Sequence, residues 1–206
     1  MGAREFPSFV YALPLTRRAL EFAAAHHRGQ RRDADAAAFI LHPLEVAQLL
    51  RDRDYPDHVV AAGVLHDVIE NTSATPAEIE QSFGPEIAGL VHSVTEPSDD
   101  GSFIERKARL RASMAGAGAD AIAIYAADKV AKVRELRLTL ARDQGAATES
   151  VTTAKLQHYW ASLELLERRP ERDPFVAQLR FELEALTMLP PRDAADLAAT
   201  PQRAPR

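Results

Sequence analysis

The chain has 206 residues, of which 46% are hydrophobic and 27% charged, and its formal charge is −5 at pH 7. This composition is ordinary for a globular protein, and the negative charge argues against a general nucleic-acid binder. Cysteine is absent, which excludes disulfide scaffolds, cysteine-ligated zinc, iron–sulfur clusters and thiol nucleophiles.

Helical periodicity dominates the first half of the chain. Apolar residues recur at three- and four-residue steps over residues 15–28, which predicts a first amphipathic helix. A second helix is predicted from Pro43 to about Arg51. Residues 57–70 are mostly apolar beyond the first two positions, so we expect a single buried central helix there.

Cap and breaker residues define the elements that follow. The segment TPAE (75–78) is a capping box with proline at the first helical position, which predicts a helix start. Gly84 ends this helix, and Pro85 begins another that runs to about Thr95. A polar loop covers 96–102. Further helices are predicted over 104–114, 120–137, 149–168 and 174–188.

No alternation typical of β-strands persists anywhere in the chain. The sequence therefore predicts an all-α fold, a helical bundle forming one domain over residues 1–188 with its core at about 15–165. Residues 189–206 are rich in Pro and Ala and have few large apolar side chains, so we expect a disordered tail. No apolar run approaches the ~20 residues that span a bilayer, and no signal peptide is evident, so we expect a cytoplasmic protein.

Four polar residues stand where apolar side chains are expected. His66 and Asp67 interrupt the apolar run VVAAGVLHDVIEN (59–71), and Asp128 ends the run AIAIYAAD (121–128). His42 precedes Pro43 at a helix start. An ionised carboxylate in apolar surroundings costs several kcal/mol unless it is compensated. Taken singly, each of these residues is more often a structural hydrogen-bonding group.

Together the four residues supply two imidazoles and two carboxylates from three helices, which suits a divalent metal with open water positions. Without sulfur ligands, Mn²⁺, Fe²⁺ or Mg²⁺ is as plausible as Zn²⁺. Residues 66 and 67 diverge by about 100° on a continuous helix. These two side chains can therefore bind the same metal only if the metal lies at the interface between helices.

The order H…HD…D is the signature of the HD superfamily of metal-dependent phosphohydrolases, and the flanking segments are more specific. They resemble the hydrolase domain of RelA/SpoT-type alarmone proteins, above all the small stand-alone (p)ppGpp hydrolases, over roughly residues 15–165. These segments are AAAHHRGQRR (23–32), FILHPLEVAQLL (39–50), AAGVLHDVIENT (61–72), FGPEIAGLVHSVT (83–95), ERKARL (105–110) and YAADKVAKVREL (125–136).

The resemblance implies an Mn²⁺-dependent hydrolase that releases pyrophosphate from the 3′ position of ppGpp or pppGpp by means of a metal-activated water. The residues that would hold the metal are His42, His66, Asp67 and Asp128. Glu70 lies one helical turn from His66 and would orient or deprotonate the water. Its alternative is a solvated glutamate at a helix end.

The resemblance also implies substrate contacts, each with a structural alternative. Arg31 and Arg32 would pack on the base and a nearby phosphate, or they form a solvated basic turn. Arg106 and Lys107 would face the pyrophosphate, or they are surface charges. Tyr159 would lie near the ribose, or it belongs to the core beside Trp160.

Two catalytic positions depart from the family pattern. Asn71 stands where the family has Asp, and Lys132 stands where it has Asn. An amide cannot accept a proton, so acid–base capacity at position 71 is lost. In one interpretation, Lys132 takes over charge stabilisation and Glu70 alone serves as base. In the other, the protein is a catalytically degenerate nucleotide-binding module.

Other sequence features leave the substrate and the assembly open. The turn at 31–38 is rich in alanine, so an adenine alarmone or NADPH remains an alternative nucleotide. Lys129, Arg134 and Arg137 are predicted to form a solvated face with Lys132. The expected partner is a small nucleotide, with no nucleic acid and no membrane, and the sequence does not determine the oligomeric state.

Overall fold

The computed structural model describes residues 6–97, 100–142, 149–170 and 173–188. Within these ranges the regular elements are helices, apart from one isolated antiparallel bridge between Arg31 and Ala38. The prediction of an all-α fold is therefore confirmed. The predicted C-terminal tail, 189–206, lies outside the described residues. None of the helices in the described ranges is both long enough and apolar enough to cross a membrane.

The helices follow the predicted order. A short 3-10 helix, Ser8–Ala12, precedes them. The α-helices are α1 (Pro14–His26), α2 (Leu41–Arg51), α3 (Asp57–Leu65), α4 (Val68–Asn71), α5 (Pro76–Val94), α6 (Phe103–Met114), α7 (Ala119–Arg142), α8 (Glu149–Glu167) and α9 (Phe175–Met188).

Helix α3 lies at the centre of the N-terminal half and packs against α1, α2, α5 and α7. Its residues from Val59 to Leu65 are all buried, because small and branched apolar side chains on every face let four helices approach it. The carboxylate of Asp57 accepts hydrogen bonds from the backbone N–H groups of Leu15 and Thr16, both at 2.9 Å. It thereby satisfies donors at the start of α1 that have no partner within that helix.

The prediction of one continuous helix over 57–70 is wrong. Helix α3 ends at Leu65, and the short α4 begins at Val68. The imidazole Nδ1–H of His66 donates to the carbonyl oxygen of Gly63 at 2.7 Å. In an uninterrupted helix that carbonyl would accept the N–H of residue 67. The helix therefore breaks at His66 and Asp67. On a regular helix the side chains of these two residues would diverge by about 100°, which is hard to reconcile with binding of one metal.

The other boundaries agree with the sequence more closely. The capping box of Thr75 and Glu78 is present. Gly84 has φ 85° and ψ 166°, so α5 consists of two helical parts, as the Gly-Pro pair predicts. Helix α2 begins at Leu41, which places His42 in its first turn. Helix α7 packs against α2, α3 and α5 as well as α8 and α9, and so connects the two halves of the bundle.

Candidate metal centre and adjoining cavity

The structure brings three of the four predicted ligands into one buried cluster. His42, His66 and Asp128 each offer a ligand atom within 4.8 Å of the other two. The Nε2 atom of His42 lies 3.1 Å from Oδ1 of Asp128 and 3.3 Å from Nε2 of His66. These atoms come from the start of α2, the end of α3 and the middle of α7.

The fourth predicted ligand, Asp67, lies beside the same cluster. Its Oδ1 is 3.4 Å from Nε2 of His66, and its Oδ2 is 3.4 Å from Nε2 of His42. The break between α3 and α4 makes this possible, because adjacent residues no longer share a regular helical geometry. Two imidazole nitrogens and two carboxylates thus converge, a donor set that fits a divalent cation of the Mn²⁺, Fe²⁺ or Zn²⁺ type.

Both histidines are oriented by contacts through their other nitrogen. Since the carbonyl of Gly63 can only accept, Nδ1 of His66 carries a proton, and Nε2 is the nitrogen that a metal would bind once its own proton is released. Nδ1 of His42 lies 3.2 Å from Oε1 of Glu135. A carbonyl partner of this kind fixes the tautomer of a metal-binding histidine, as at His66, whereas Nδ1 of His42 lies near the Glu135 carboxylate without forming a hydrogen bond among the described residues.

The cluster strongly favours positive charge. Burial opposes a charged His66, but the field of Asp67 and hydrogen bonds to Asp128 and Asp67 raise its pKa to about 10. Burial also opposes the charged form of Asp67, yet His66 and Lys132 hold the pKa of this carboxyl well below its usual range. A bound cation would replace the protons on the imidazoles, so metal binding here must release protons.

Lys132 adds a further positive charge beside the carboxylates. Its Nζ lies 3.4 Å from Oδ2 of Asp67 and 3.5 Å from Oδ1 of Asp128. Burial disfavours the ammonium form, but the two carboxylates hold the pKa of Lys132 well above its usual value. A permanently charged side chain therefore lies next to the predicted metal ligands.

A cavity of about 260 Å³ adjoins the cluster. His42, Asp67 and Lys132 lie in its wall. The wall also contains most of the predicted substrate and catalytic residues, namely Arg31, Arg32, Asn71, Lys107 and Tyr159. Tyr159 is only 6% exposed, and burial raises the pKa of its phenol.

The two arginines of the 31–38 turn are held by local contacts. Arg32 pairs with Asp35, and its Nη1 lies 3.4 Å from Oε1 of Glu135. The guanidinium of Arg31 donates to the carbonyl of Ala36 at 3.3 Å. The positive φ of 57° at Ala36 shows how tightly the turn is bent. Both guanidinium groups therefore lie at the edge of the cavity on a structured turn.

Arg106 and Glu70 are not in the cavity wall. Nε of Arg106 donates to Oε2 of Glu96 at 3.1 Å, and Lys107 pairs with the other oxygen of the same carboxylate. Oε1 of Glu70 accepts the backbone N–H of Glu96 at 2.6 Å. Sequence reasoning missed Glu96, which lies in a polar loop without a distinguishing pattern. It holds the predicted base and the predicted phosphate-binding residues in one network.

The prediction that Lys129 belongs to a solvated face is wrong. Its side chain is 3% exposed, its Nζ lies 4.4 Å above the ring of Tyr125 and it pairs with Oδ2 of Asp128. Helix α7 packs against α3, α5 and α8, and this packing buries the side chain next to Asp128. Lys129, Lys155 and His158 all lie in the cavity wall, and sequence reasoning assigned chemistry to none of them.

The comparisons with known proteins agree with this architecture. The sequence profile of the HD domain family matches residues 19–153. Among curated proteins, MESH1 of Drosophila melanogaster, a guanosine-3′,5′-bis(diphosphate) 3′-pyrophosphohydrolase, is 35% identical over 125 residues, which are 58% of this chain and 68% of that protein. The GTP pyrophosphokinase rsh of Brucella melitensis is 44% identical over 82 residues, which are 40% of this chain and 11% of that protein. The chain thus spans only a small part of the length of the long relatives.

Two solved structures are also similar. The structure of a metazoan ortholog of SpoT that hydrolyzes ppGpp superposes with a TM-score of 0.69 at 25% identity and covers 89% of this chain and 97% of that chain. The crystal structure of lmo0812 from Listeria monocytogenes EGD-e gives a TM-score of 0.63 at 28% identity, with coverage of 70% and 94%. Both likenesses span most of the helical bundle that carries the cluster.

Proposed function

Because the chain belongs to the HD domain family, we propose that it is a metal-dependent hydrolase that removes the 3′-pyrophosphate of (p)ppGpp or of a closely related purine nucleotide. The observation that carries this proposal is the convergence of His42, His66, Asp67 and Asp128 beside a cavity lined with cationic side chains. The Drosophila relative is named for the same reaction.

The four converging residues would hold the metal, for which we propose Mn²⁺. All of the donors are imidazole nitrogens or carboxylate oxygens, which suit this ion. A divalent cation in this position acidifies water and neutralises phosphate charge. Since the reaction needs a free nucleotide, we place it in the cytoplasm.

The remaining residues would divide substrate binding and proton transfer among them. The water oxygen forms a bond to the phosphorus attached to the 3′ oxygen, and the bond from that phosphorus to the 3′ oxygen breaks. Pyrophosphate is released, and the 3′ oxygen takes up a proton and leaves as the ribose hydroxyl. Lys107 and Lys132 neutralise charge on the transferred group. Glu70 lies outside the cavity wall, so it would accept the proton of the attacking water through one intervening water. Its pKa, which burial raises, is closer to neutral pH, where a general base is most effective.

A nucleotide panel tests the proposed function. Purified protein with Mn²⁺ is incubated with ppGpp, pppGpp, the adenine analogue of ppGpp and NADPH, and the products are identified. We expect pyrophosphate from the guanine nucleotides and no turnover by Asp128→Ala. Orthophosphate as the released product would overturn the proposed reaction. Binding of ppGpp without cleavage of any nucleotide would favour the nucleotide-binding module instead.

Asn71 offers a direct test of the departure from the family pattern. It is exposed in the cavity wall, so a carboxylate there can contact solvent water and accept a proton. Asn71→Asp should raise kcat on ppGpp by up to about 10²-fold, the lower range for an added acid–base group. The matched control is Asn71→Ser, which adds no carboxylate. An equal rate in both variants would contradict the proposed role.

A further inference from the structure

The lysines of this chain are distributed in an unusual way. The sequence contains 21 arginines and only four lysines, and all four lysines lie in the wall of the cavity beside the metal cluster: Lys107, Lys129, Lys132 and Lys155. Lysine is a compact point charge with freely rotating donors, which distinguishes it from the planar arginine fork. Three of the four lysines already pair with carboxylates, so the cavity offers a phosphate group compact cationic contacts and not a large uncompensated positive charge.

His158 lies in the same wall and is 4% exposed. Its Nδ1 is 2.6 Å from Nη1 of Arg111. A guanidinium can only donate hydrogen bonds, so Nδ1 must be the acceptor and the ring proton is on Nε2. Arg111 thus fixes the tautomer of His158 and makes Nε2–H a donor.

This Nε2–H is buried and has no hydrogen-bond partner among the described residues. Buried donors in native proteins are nearly always paired with a protein group or an ordered water, and since His158 lies in the cavity wall, a water or a ligand oxygen in the cavity is the expected partner. Burial, together with the fields of Lys129, Lys107 and Arg111, lowers the pKa of His158 to about 2. The imidazole therefore stays neutral and keeps its donor at every physiological pH.

The groups around His158 are cationic. Lys155 precedes it by three residues on α8, which places both side chains on one helix face, and no described residue forms an ion pair with Lys155. Lys129 approaches from α7. The carboxylate of Asp128 separates this region from the metal cluster, because its Oδ1 faces His42 whereas its Oδ2 faces Lys129. One carboxylate is thus shared between the two regions.

We propose that His158, with Lys129 and Lys155, forms a second phosphate subsite that recognises the 5′-phosphate group of the nucleotide. His158 is the specificity-determining residue, and Arg111 is a positioning residue that acts through it. A neutral N–H donor flanked by ammonium groups matches the oxygen atoms of a phosphate, which accept both kinds of hydrogen bond. This proposal rests on the proposed function and adds to it the residues that would recognise the 5′-phosphate end of the substrate.

Two substrates that differ only in the 5′-phosphates test the proposal. We compare kcat/KM for ppGpp with that for guanosine 3′-diphosphate in the wild-type protein and in two variants. His158→Leu removes the donor and should lower the preference for ppGpp by about tenfold, mainly through KM, as expected for one lost hydrogen bond to a charged group. His158→Gln retains a donor and an acceptor and should restore most of this preference. An unchanged preference in His158→Leu would overturn the proposal.

Binding of GDP keeps the test independent of hydrolysis. GDP carries only the 5′ groups, so equilibrium dialysis should show weaker binding by His158→Leu, whereas binding of guanosine should change much less. If the wild-type protein hydrolyses no nucleotide but this difference is present, the proposed function fails and the subsite stands. Equal loss of GDP and guanosine binding would overturn the subsite.

The tautomer of His158 can be measured separately, and it would not change if Arg111 had only a structural role. Nitrogen NMR of the histidine side chains should show a proton on Nε2 of His158 in the wild-type protein. In Arg111→Met the proton should distribute over both nitrogens, and the preference for ppGpp should fall together with it. A proton on Nδ1 in the wild-type protein would contradict the assignment.

Discussion

Lys132 acts electrostatically on two of the predicted metal ligands at once. Its ammonium lies within 3.5 Å of carboxylate oxygens of both Asp67 and Asp128, which also face His42 and His66. At this distance two unit charges interact by several kcal/mol even at an effective dielectric constant of about 20. Lys132 therefore stabilises the acidic cluster and at the same time competes with a metal for it.

Replacing this lysine should strengthen metal binding. In Lys132→Asn the competing charge is lost, so we expect the dissociation constant for Mn²⁺ to fall about tenfold, equivalent to about 1.4 kcal/mol. Electron paramagnetic resonance of free Mn²⁺ measures this constant directly. Lys155→Asn removes the same charge from the cavity wall away from the carboxylates and is the control. Equal effects in the two variants would refute a specific role for Lys132.

Glu70 should control the acid side of the pH–rate profile. A general base works only when it is ionised, so the rate falls as the pH drops through its pKa, which burial raises above the ordinary value of about 4.3. At saturating Mn²⁺, Glu70→Gln should lose this limb and slow the reaction by roughly 10²–10⁴-fold. Glu70→Asp keeps a carboxylate and should keep the limb. If the acid limb of the profile persists in Glu70→Gln, the limb belongs to another titrating group.

At the scale of the elements, the end of α3 determines the geometry of the site. Gly63 lies one turn before His66, and its carbonyl accepts the imidazole proton. A Cβ at Gly63 would lie 2.5 Å from Cδ1 of Leu50 and 3.4 Å from Cγ1 of Val46. Glycine thus allows α2 and α3 to approach closely, and this approach brings His42 next to His66.

Two glycine substitutions distinguish the effect of this close packing on the free energy of unfolding from the effect of helix propensity. Gly63→Ala overpacks a buried contact and should cost about 1–3 kcal/mol, offset by up to about 1 kcal/mol of helix propensity. Gly89→Ala, on the exposed side of α5 with no atom within 4 Å of the added Cβ, should gain that propensity alone. Urea denaturation measures both free energies of unfolding. If Gly63→Ala is as stable as Gly89→Ala, the packing argument fails.

At the scale of the whole molecule, the metal cluster joins three elements that are distant in the chain. It takes His42 from α2, His66 and Asp67 from the break after α3, and Asp128 from α7. A cation bound there would connect the N-terminal helices to α7, which in turn packs against α8 and α9. Metal binding should therefore stabilise the folded state of the bundle as a whole.

Thermal unfolding should show this linkage. Free Mn²⁺ at 100 times its dissociation constant adds about 2.7 kcal/mol, which corresponds to a rise in Tm of roughly 5–10 °C for a chain of this size. Asp128→Asn should lose the rise. Asp54→Asn, at a side chain that is 95% exposed, makes the same chemical change and should retain it. A rise of equal size in both variants would exclude Asp128 as a ligand.

Local patterns in the sequence predict most of the helices and the chemistry of the site. Periodicity and caps are local properties, so α1, α2, α5 and the all-α class follow from them, and polar residues in apolar runs identified His42, His66, Asp67 and Asp128 as a possible metal-binding set. The absence of cysteine restricted the donors to nitrogen and oxygen. These inferences needed only neighbours within a few turns of the chain.

Which side chains come into contact depends on the tertiary structure. His42 and Asp128 are 86 positions apart, and their contact depends on how α2 packs against α7, which no local pattern specifies. Contacts between helices likewise bury Lys129 and bring Arg111 to His158, whereas the break at His66 accompanies a contact at the end of α3 that the apolar pattern does not reveal. The sequence supplied the charges and donors, and the packing of the bundle set which of them are buried, paired or left to face the cavity.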